Sequence, residues 1–270
     1  MPRLDQELVT RGLARSRTHA AKLISDGKVS SSGHVLGKAA HQVDAETELA
    51  VESHLEDIYV SRAGHKLAGA LKAFPAVVVS GKRCLDAGAS TGGFTDVLLR
   101  QGASQVVAVD VGHGQLVPQL RDDPKVEVHE GLNVRYMTPE QIGGLATLTV
   151  ADLSFISLTL VLWPLAQCTE PGGDMVLMVK PQFEVGKERL SRTGVVSSEN
   201  ERRRAVAQVA RAAVDAGLEL QDLAASPLPG QDGNVEYFLW MKRRMSTVLP
   251  KIEERDEDVA ALIKKLWPNH

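Results

Sequence analysis

Apolar positions in the first thirty residues recur at helical spacing and then give way to short alternating runs. Leu4, Leu8 and Leu13 form one stripe, with Gly12 placed to end it. Ala20, Leu23, Ile24 and Val29 form a second, opened by Ser16 as cap and closed by Gly27. Short β-like runs are predicted at 35–36, 42–43 and 48–51, separated by Ser/Gly and Asp/Glu turns. From Val60 onward helix and strand alternate. A helix is expected over 66–74, with Leu67, Ala70, Leu71 and Phe74 on one side. Strands are predicted at 83–87, 105–110, 125–129, 148–152 and 175–180. An amphipathic helix over 199–216 follows, then strands at 218–224 and 235–241, and a terminal helix carrying Ile252, Val259, Leu262 and Ile263. The pattern is that of a small α+β domain before a mostly parallel α/β domain. Its boundaries read as 1–56, a linker at 57–60, a large domain at 61–245 and a helical tail at 246–270.

Composition narrows the classes. A chain of 270 residues, 43% hydrophobic, can bury one large core and one small one. The formal net charge of −3 gives no global field for nucleic acid, so any RNA contact must come from local patches. Cys84 and Cys168 sit in mostly apolar stretches without a CxxC pair, as reduced thiols in the cytoplasm do. The apolar run at 158–166 is far short of the ~20 residues that span a bilayer, and Asp5 and Glu7 occupy the place of a signal peptide's apolar core. A cytoplasmic protein without membrane insertion is expected. The eight histidines show no ligand-like spacing with the cysteines, so no metal is expected.

Residues 84–94, Cys-Leu-Asp-Ala-Gly-Ala-Ser-Thr-Gly-Gly-Phe, read as a strand entering a glycine-rich loop and then a helix. Such a loop lets backbone approach a ligand, and a helix N-terminus favours acceptors. The next strand ends in Asp110, about 20 positions on, where a carboxylate can accept ribose hydroxyls. The spacing Gly88-x-x-x-Gly92-Gly93 differs from the G-x-G-x-x-G that seats a pyrophosphate, and Asp86 at the strand end suits a cationic methionine moiety. S-adenosyl-L-methionine is therefore the expected cofactor. A late inserted strand at 235–241 agrees with a Rossmann-like class I methyltransferase sheet of seven strands, one antiparallel.

Methyl transfer to a sugar hydroxyl needs a group that holds or removes a proton. Lys180 follows an apolar strand and precedes Pro181, at the sheet edge where open α/β folds bind ligands. Asp152 ends the preceding parallel strand, Glu236 opens the antiparallel one, and Lys66 lies on a helix able to roof the site. Taken singly, each is a solvated charge; their joint placement is the argument.

These blocks carry a resemblance. Ser61-Arg62-Ala63-Gly64-His65-Lys66-Leu67, the run 86–95, Ala151-Asp152-Leu153-Ser154-Phe155-Ile156-Ser157, Val179-Lys180-Pro181-Gln182-Phe183-Glu184 and Gly233-Asn234-Val235-Glu236-Tyr237-Phe238 occur in that order. Over nearly its whole length the chain resembles the TlyA or haemolysin A family of ribose 2'-O-methyltransferases, an S4 RNA-binding domain before an FtsJ-like methyltransferase domain. The resemblance implies a catalytic tetrad of Lys66, Asp152, Lys180 and Glu236. It also implies cytidine 2'-O-methylation in 23S ribosomal RNA, and in some members 16S. Expected cofactor residues are Asp86, Gly88, Ala89, Ser90, Gly92, Gly93, Asp110, Val111, Asn133 and Asp152. The S4-like reading rests on Arg3, Arg11, Arg15, Ser16, Arg17, Lys22 and Lys28, which crowd the helix pair; Arg62 joins them. The expected partners are ribosomal RNA and ribosomal subunits. Related members have a basic residue and a tryptophan where this chain has Asp57 and Tyr59, so no linker role is carried over. Three other readings stand beside this one: a pore-forming haemolysin, a catalytically inactive ribosome-binding factor, and a dehydrogenase.

Overall fold

A computed structural model describes residues 1–14, 17–44, 46–51, 58–186, 190, 193–246, 249 and 251–268. The chain forms two compact units, Met1–Ile58 and Tyr59–His270. In the first, helices α1 (Leu4–Thr10) and α2 (Arg17–Ser25) pack Leu4, Leu8, Ala20, Leu23 and Ile24 against Val29 and Val43. Strands β1 (Val29–Ser31), β2 (His34–Val35) and β3 (Ala50–Val51) form an antiparallel sheet in the order β2-β1-β3. Two expectations change here. Val29, counted with the second helix, opens a strand after the left-handed turn at Gly27. The run at 42–43 is not a named strand: Gln42 makes one bridge to Arg3 while Val43 fills the core. The proposed cap Ser16, together with Arg15, lies outside the described residues, as does Asp57 of the linker.

The second unit runs α3 (Arg62–Ala73), β4 (Arg83–Ala87), α4 (Gly93–Arg100), β5 (Gln105–Asp110), α5 (Pro118–Arg121), β6 (Val126–Glu130) and β7 (Ala146–Ala151). It continues through α6 (Leu162–Gln167), β8 (Thr169–Val179), α7 (Pro181–Glu184), α8 (Glu199–Asp215), β9 (Leu218–Ala225), β10 (Tyr237–Arg243) and α9 (Ile252–Lys264). Seven strands lie in the order β6-β5-β4-β7-β8-β10-β9, and only β10 runs against its neighbours. Strand alternation sorts the core into two layers. Cys84, Val176, Met178 and Phe238 face α3 and α4 through Leu67, Phe74, Phe94 and Leu98. Leu85, Leu177, Val179 and Leu239 face α6, α8 and α9 through Leu165, Val206, Val209 and Leu262. Trp267 joins that second layer, so the charged tail closes the core.

Helix α3 begins at Arg62, one turn before the expected 66, because the polar residues ahead of Lys66 interrupt the apolar stripe without interrupting the helix. Strand β8 begins at Thr169, before Pro171, and its pairing with β7 is irregular between Ala146 and Leu148, where a proline can be accommodated. The chain leaves β4 for β5 and β6, then returns to β7 on the other side of β4. That reversal opens a crevice at the C-terminal ends of β4 and β7.

Candidate active site

Five segments converge on that edge. The glycine loop leaves β4, Asp110 ends β5, Asp152 follows β7, Lys180 follows β8, and the register pairing Tyr237 with Val179 sets Glu236 beside Lys180. Lys66 comes from α3. The four charges form two pairs. Lys66 Nζ donates to Glu236 Oε2 at 2.5 Å, and Lys180 Nζ lies 2.6 Å from Asp152 Oδ1. The second contact has the distance of an ion pair but not the angle of a hydrogen bond; Lys180 donates to Ser154 Oγ at 2.9 Å, and buried Asp152 Oδ1 accepts none. Gln182 Nε2 reaches Glu236 Oε1 at 3.4 Å, linking α7 to the first pair. Lys66, Lys180 and Glu236 are buried, so each charge depends on its partner.

Two cavities meet at this cluster. One of about 430 Å³ is lined by Gly88, Ser90, Asp110, Val111, Asn133 and Asp152, with apolar Leu132, Val134 and Ile156. The other, about 820 Å³, holds Lys66, Lys180, Gln182, Asn234 and Glu236. Ser154, Phe155 and Ile156 line both. A recess of about 150 Å³ between the loop and α3 adds Ser61, Ala89, Ser90 and Gly93, and Ser61 Oγ is buried there without a hydrogen bond. A larger hollow, about 920 Å³ between α8 and α9, contains none of the four tetrad residues. It is lined partly by Arg204, Arg211 and Asp215, which are already salt-bridged.

The loop is built by its neighbours. Asp110 Oδ2 accepts the Ser90 N–H at 2.8 Å and Oδ1 the Gly112 N–H at 2.7 Å, so this carboxylate ties two loops while keeping lone pairs for a ligand. A Cβ on Gly88, at φ +86, would lie 2.8 Å from the Asp152 carbonyl oxygen.

Two expected cofactor residues line none of these three spaces, and a third has a second role besides. Asp86 is fully buried beneath the loop, with Thr95 donating to Oδ2 at 2.7 Å, and it lines neither cavity nor the recess. Desolvation raises its carboxyl to about 7. Gly92, at φ +98, lines none of them either; a Cβ there would meet Leu120 at 2.3 Å and Leu116 at 2.7 Å. Gly93 touches the recess, and it also allows α3 to approach, since a Cβ would meet Ser61 and Ala63. Sequence reasoning missed Ser61, Gln115, Leu132, Ser154, Phe155 and Gln182 as lining residues. Among these, Phe155 carried a signal only as an aromatic inside a polar strand-end loop; it is 93% exposed.

In the first unit, Arg3 and Arg17 converge on Asp5, at 3.0 and 3.1 Å, and together hold that carboxyl down to about 2, Arg3 foremost. Arg17 and Lys22 are exposed, and Arg3 remains partly so. Lys28 is half-buried, and Arg62, in the second unit, is exposed. Arg11 is engaged within its own unit. Its guanidinium binds Glu7 at 2.7 Å and donates to the carbonyls of Asp44 and Thr47.

The FtsJ-like methyltransferase family model matches residues 59–243, and the S4 domain model residues 2–49. The chain is 54% identical to the 16S/23S rRNA (cytidine-2'-O)-methyltransferase TlyA of Mycobacterium tuberculosis, over 92% of each chain. It is 35% identical to hemolysin A of Brachyspira hyodysenteriae, over 87% of this chain and 98% of that one. A solved structure from Streptococcus thermophilus that carries a hemolysin name matches at TM-score 0.71 and 37% identity, covering 99% of this chain and 98% of its own.

Proposed function

The chain belongs to the TlyA family, an FtsJ-like methyltransferase domain behind an S4 domain, and we propose that it methylates the ribose 2'-oxygen of a cytidine in ribosomal RNA. The 23S RNA is the proposed substrate, with 16S as a second target. The observation that carries this reading is the buried double ion pair where the glycine-loop cavity opens into the wider one.

The residues fit S-adenosylmethionine. Gly88, Ala89 and Ser90 would offer close backbone, Asp110 would accept ribose hydroxyls, and Val111, Asn133 and the apolar wall would receive the base. Ser61 Oγ, buried and without a partner, supplies a donor for a carboxylate in the recess. The cofactor, when bound, supplies an electrophilic methyl on a sulfonium.

The rest is done by side chains. Lys180 meets the ribose hydroxyl and orients its oxygen toward the methyl group. Asp152 and Ser154 fix the direction of Nζ. The Lys66–Glu236 pair, joined through Gln182, sets the far wall. The exposed ring of Phe155 at the mouth of both cavities offers a face to a base. Arg3, Arg17, Lys22, Lys28 and Arg62 are proposed to bind phosphates, with Arg15 and Ser16 in the same role.

The test is incubation with radiolabelled S-adenosylmethionine and ribosomal subunits from a strain without this activity, beside Lys180→Ala. Label entering RNA, lost in the variant and mapped to a cytidine ribose, is expected. Cofactor binding without label in either subunit overturns the reading in favour of an inactive ribosome-binding factor.

A further inference from the structure

One buried carboxyl near the site is not used by the tetrad. Glu184 ends α7, four residues beyond Lys180, and is 7% exposed. Its Oε1 accepts the Leu158 N–H at 2.8 Å, and its Oε2 accepts the Ser157 hydroxyl at 2.5 Å. Ser157 Oγ also accepts the Thr159 N–H and caps the short helical turn Leu158–Leu160. Burial pushes the Glu184 carboxyl up, against the pull of these two donors. An acid placed there pays a desolvation cost that an apolar residue of like volume would avoid. Its gain is a directed hold across 26 to 27 residues of sequence.

What it holds are the two strand-end segments that face the substrate cavity. The segment after β7 carries Asp152, Ser154 and Phe155; the segment after β8 carries Lys180, Gln182 and Phe183. Between them run the Lys180 contacts to Asp152 and Ser154, and the ring pair Phe155–Phe183 at 5.4 Å. Phe155 has φ +64, a conformation that a bulky residue keeps only when its surroundings impose it. The grip on Ser157 and Leu158 lies two and three residues further on.

We propose that Glu184 is a positioning residue for methyl transfer: its carboxylate clamps the 157–158 turn to α7 and so fixes Asp152 and Ser154 against Lys180. The proposal rests on the methyltransferase reading above. Without the clamp the loop after β7 drifts, and a displacement on the order of 1 Å at a reacting group costs about 100-fold in rate.

The experiment measures kcat and KM for labelled S-adenosylmethionine and ribosomal subunits with full-length wild type, Glu184→Ala and Glu184→Gln, each checked for folding at the assay temperature. Glu184→Ala is expected to lose about 10- to 100-fold in kcat, with both KM values within about threefold of wild type. Glu184→Gln is expected to recover most of that loss, because its amide can accept from Leu158 and donate to Ser157 Oγ. A wild-type kcat in Glu184→Ala, a loss confined to KM, or equal losses in both variants overturns the proposal. If Glu184→Ala does not fold, Ser157→Ala decides: a kcat lower by about 3- to 10-fold supports the clamp, and an unchanged kcat overturns it. Inactive wild type overturns the methyl-transfer reading itself; active wild type with an unaffected variant overturns the clamp alone.

Discussion

Replacing Asp86 by Asn removes an ionisation and little else. The side chain is fully buried at the end of β4, Oδ2 accepts the Thr95 hydroxyl, and Oδ1 accepts no hydrogen bond. Desolvation raises the carboxyl from 3.8 to about 7, opposed by the Thr95 hydrogen bond and helped by the charge of Asp152. A folded-state value above the unfolded one means that the folded protein binds this proton more tightly. The group's contribution to stability is therefore complete below pH 3.8 and is lost as pH rises through about 7. At about 1.4 kcal/mol per pH unit, the total loss is on the order of 4 kcal/mol. Asn keeps an oxygen for Thr95 and carries no charge at any pH. Between pH 5 and 7, Asp86→Asn is expected to gain on wild type by about 1.4 kcal/mol per pH unit, and to be the more stable protein at pH 8. Urea unfolding followed by tryptophan fluorescence reads the correct unit, because Trp163, Trp240 and Trp267 all lie within Tyr59–His270. Equal pH slopes in the two proteins, or a variant less stable at pH 8, would refute the reasoning and require an ionised Asp86 with a compensating partner.

Three further outcomes are expected. Glu236→Ala leaves the buried Lys66 ammonium without its anion and costs about 3–5 kcal/mol in urea unfolding; in the Lys66→Met/Glu236→Leu double variant the cost falls well below the sum of the two single ones. Gly92→Ala, strained at φ +98 and pressed against Leu120, destabilises by about 1–3 kcal/mol, and Leu120→Ala in the same chain recovers less than the whole because the backbone strain stays. Arg17→Ala is expected to reduce the salt slope of RNA binding by about 1, whereas Arg11→Ala lowers thermal stability and leaves that slope nearly unchanged.

The clamp and the tetrad differ in how they could be read from the chain. Lys66, Asp152, Lys180 and Glu236 each sit at a strand end or on a helix that local patterning marks, and the order of the sequence blocks brought them together before any coordinates. Glu184 occupies one of the same blocks, but nothing local distinguishes it from a solvated acid at a helix end. Arg11 differs again. Its immediate neighbours, Thr10 and Gly12, are uncharged, and its partners are Glu7 four residues back and the carbonyls of Asp44 and Thr47, which only the fold brings near.

By itself the sequence determined the alternation of strand and helix, the left-handed positions reserved for glycine, and the strand ends that carry chemistry, because periodicity and φ preference are properties of neighbouring residues. The tertiary structure alone decided what each group faces. Strand order brought Lys66 to Glu236 across 170 residues. It sank Asp86 beneath the loop it was expected to line and turned Gly92 toward Leu116 and Leu120. It also joined the ends of β7 and β8 through Glu184. Burial and pairing depend on which segments pack together, and they fix whether a carboxylate is a ligand, a clamp or a buried acid.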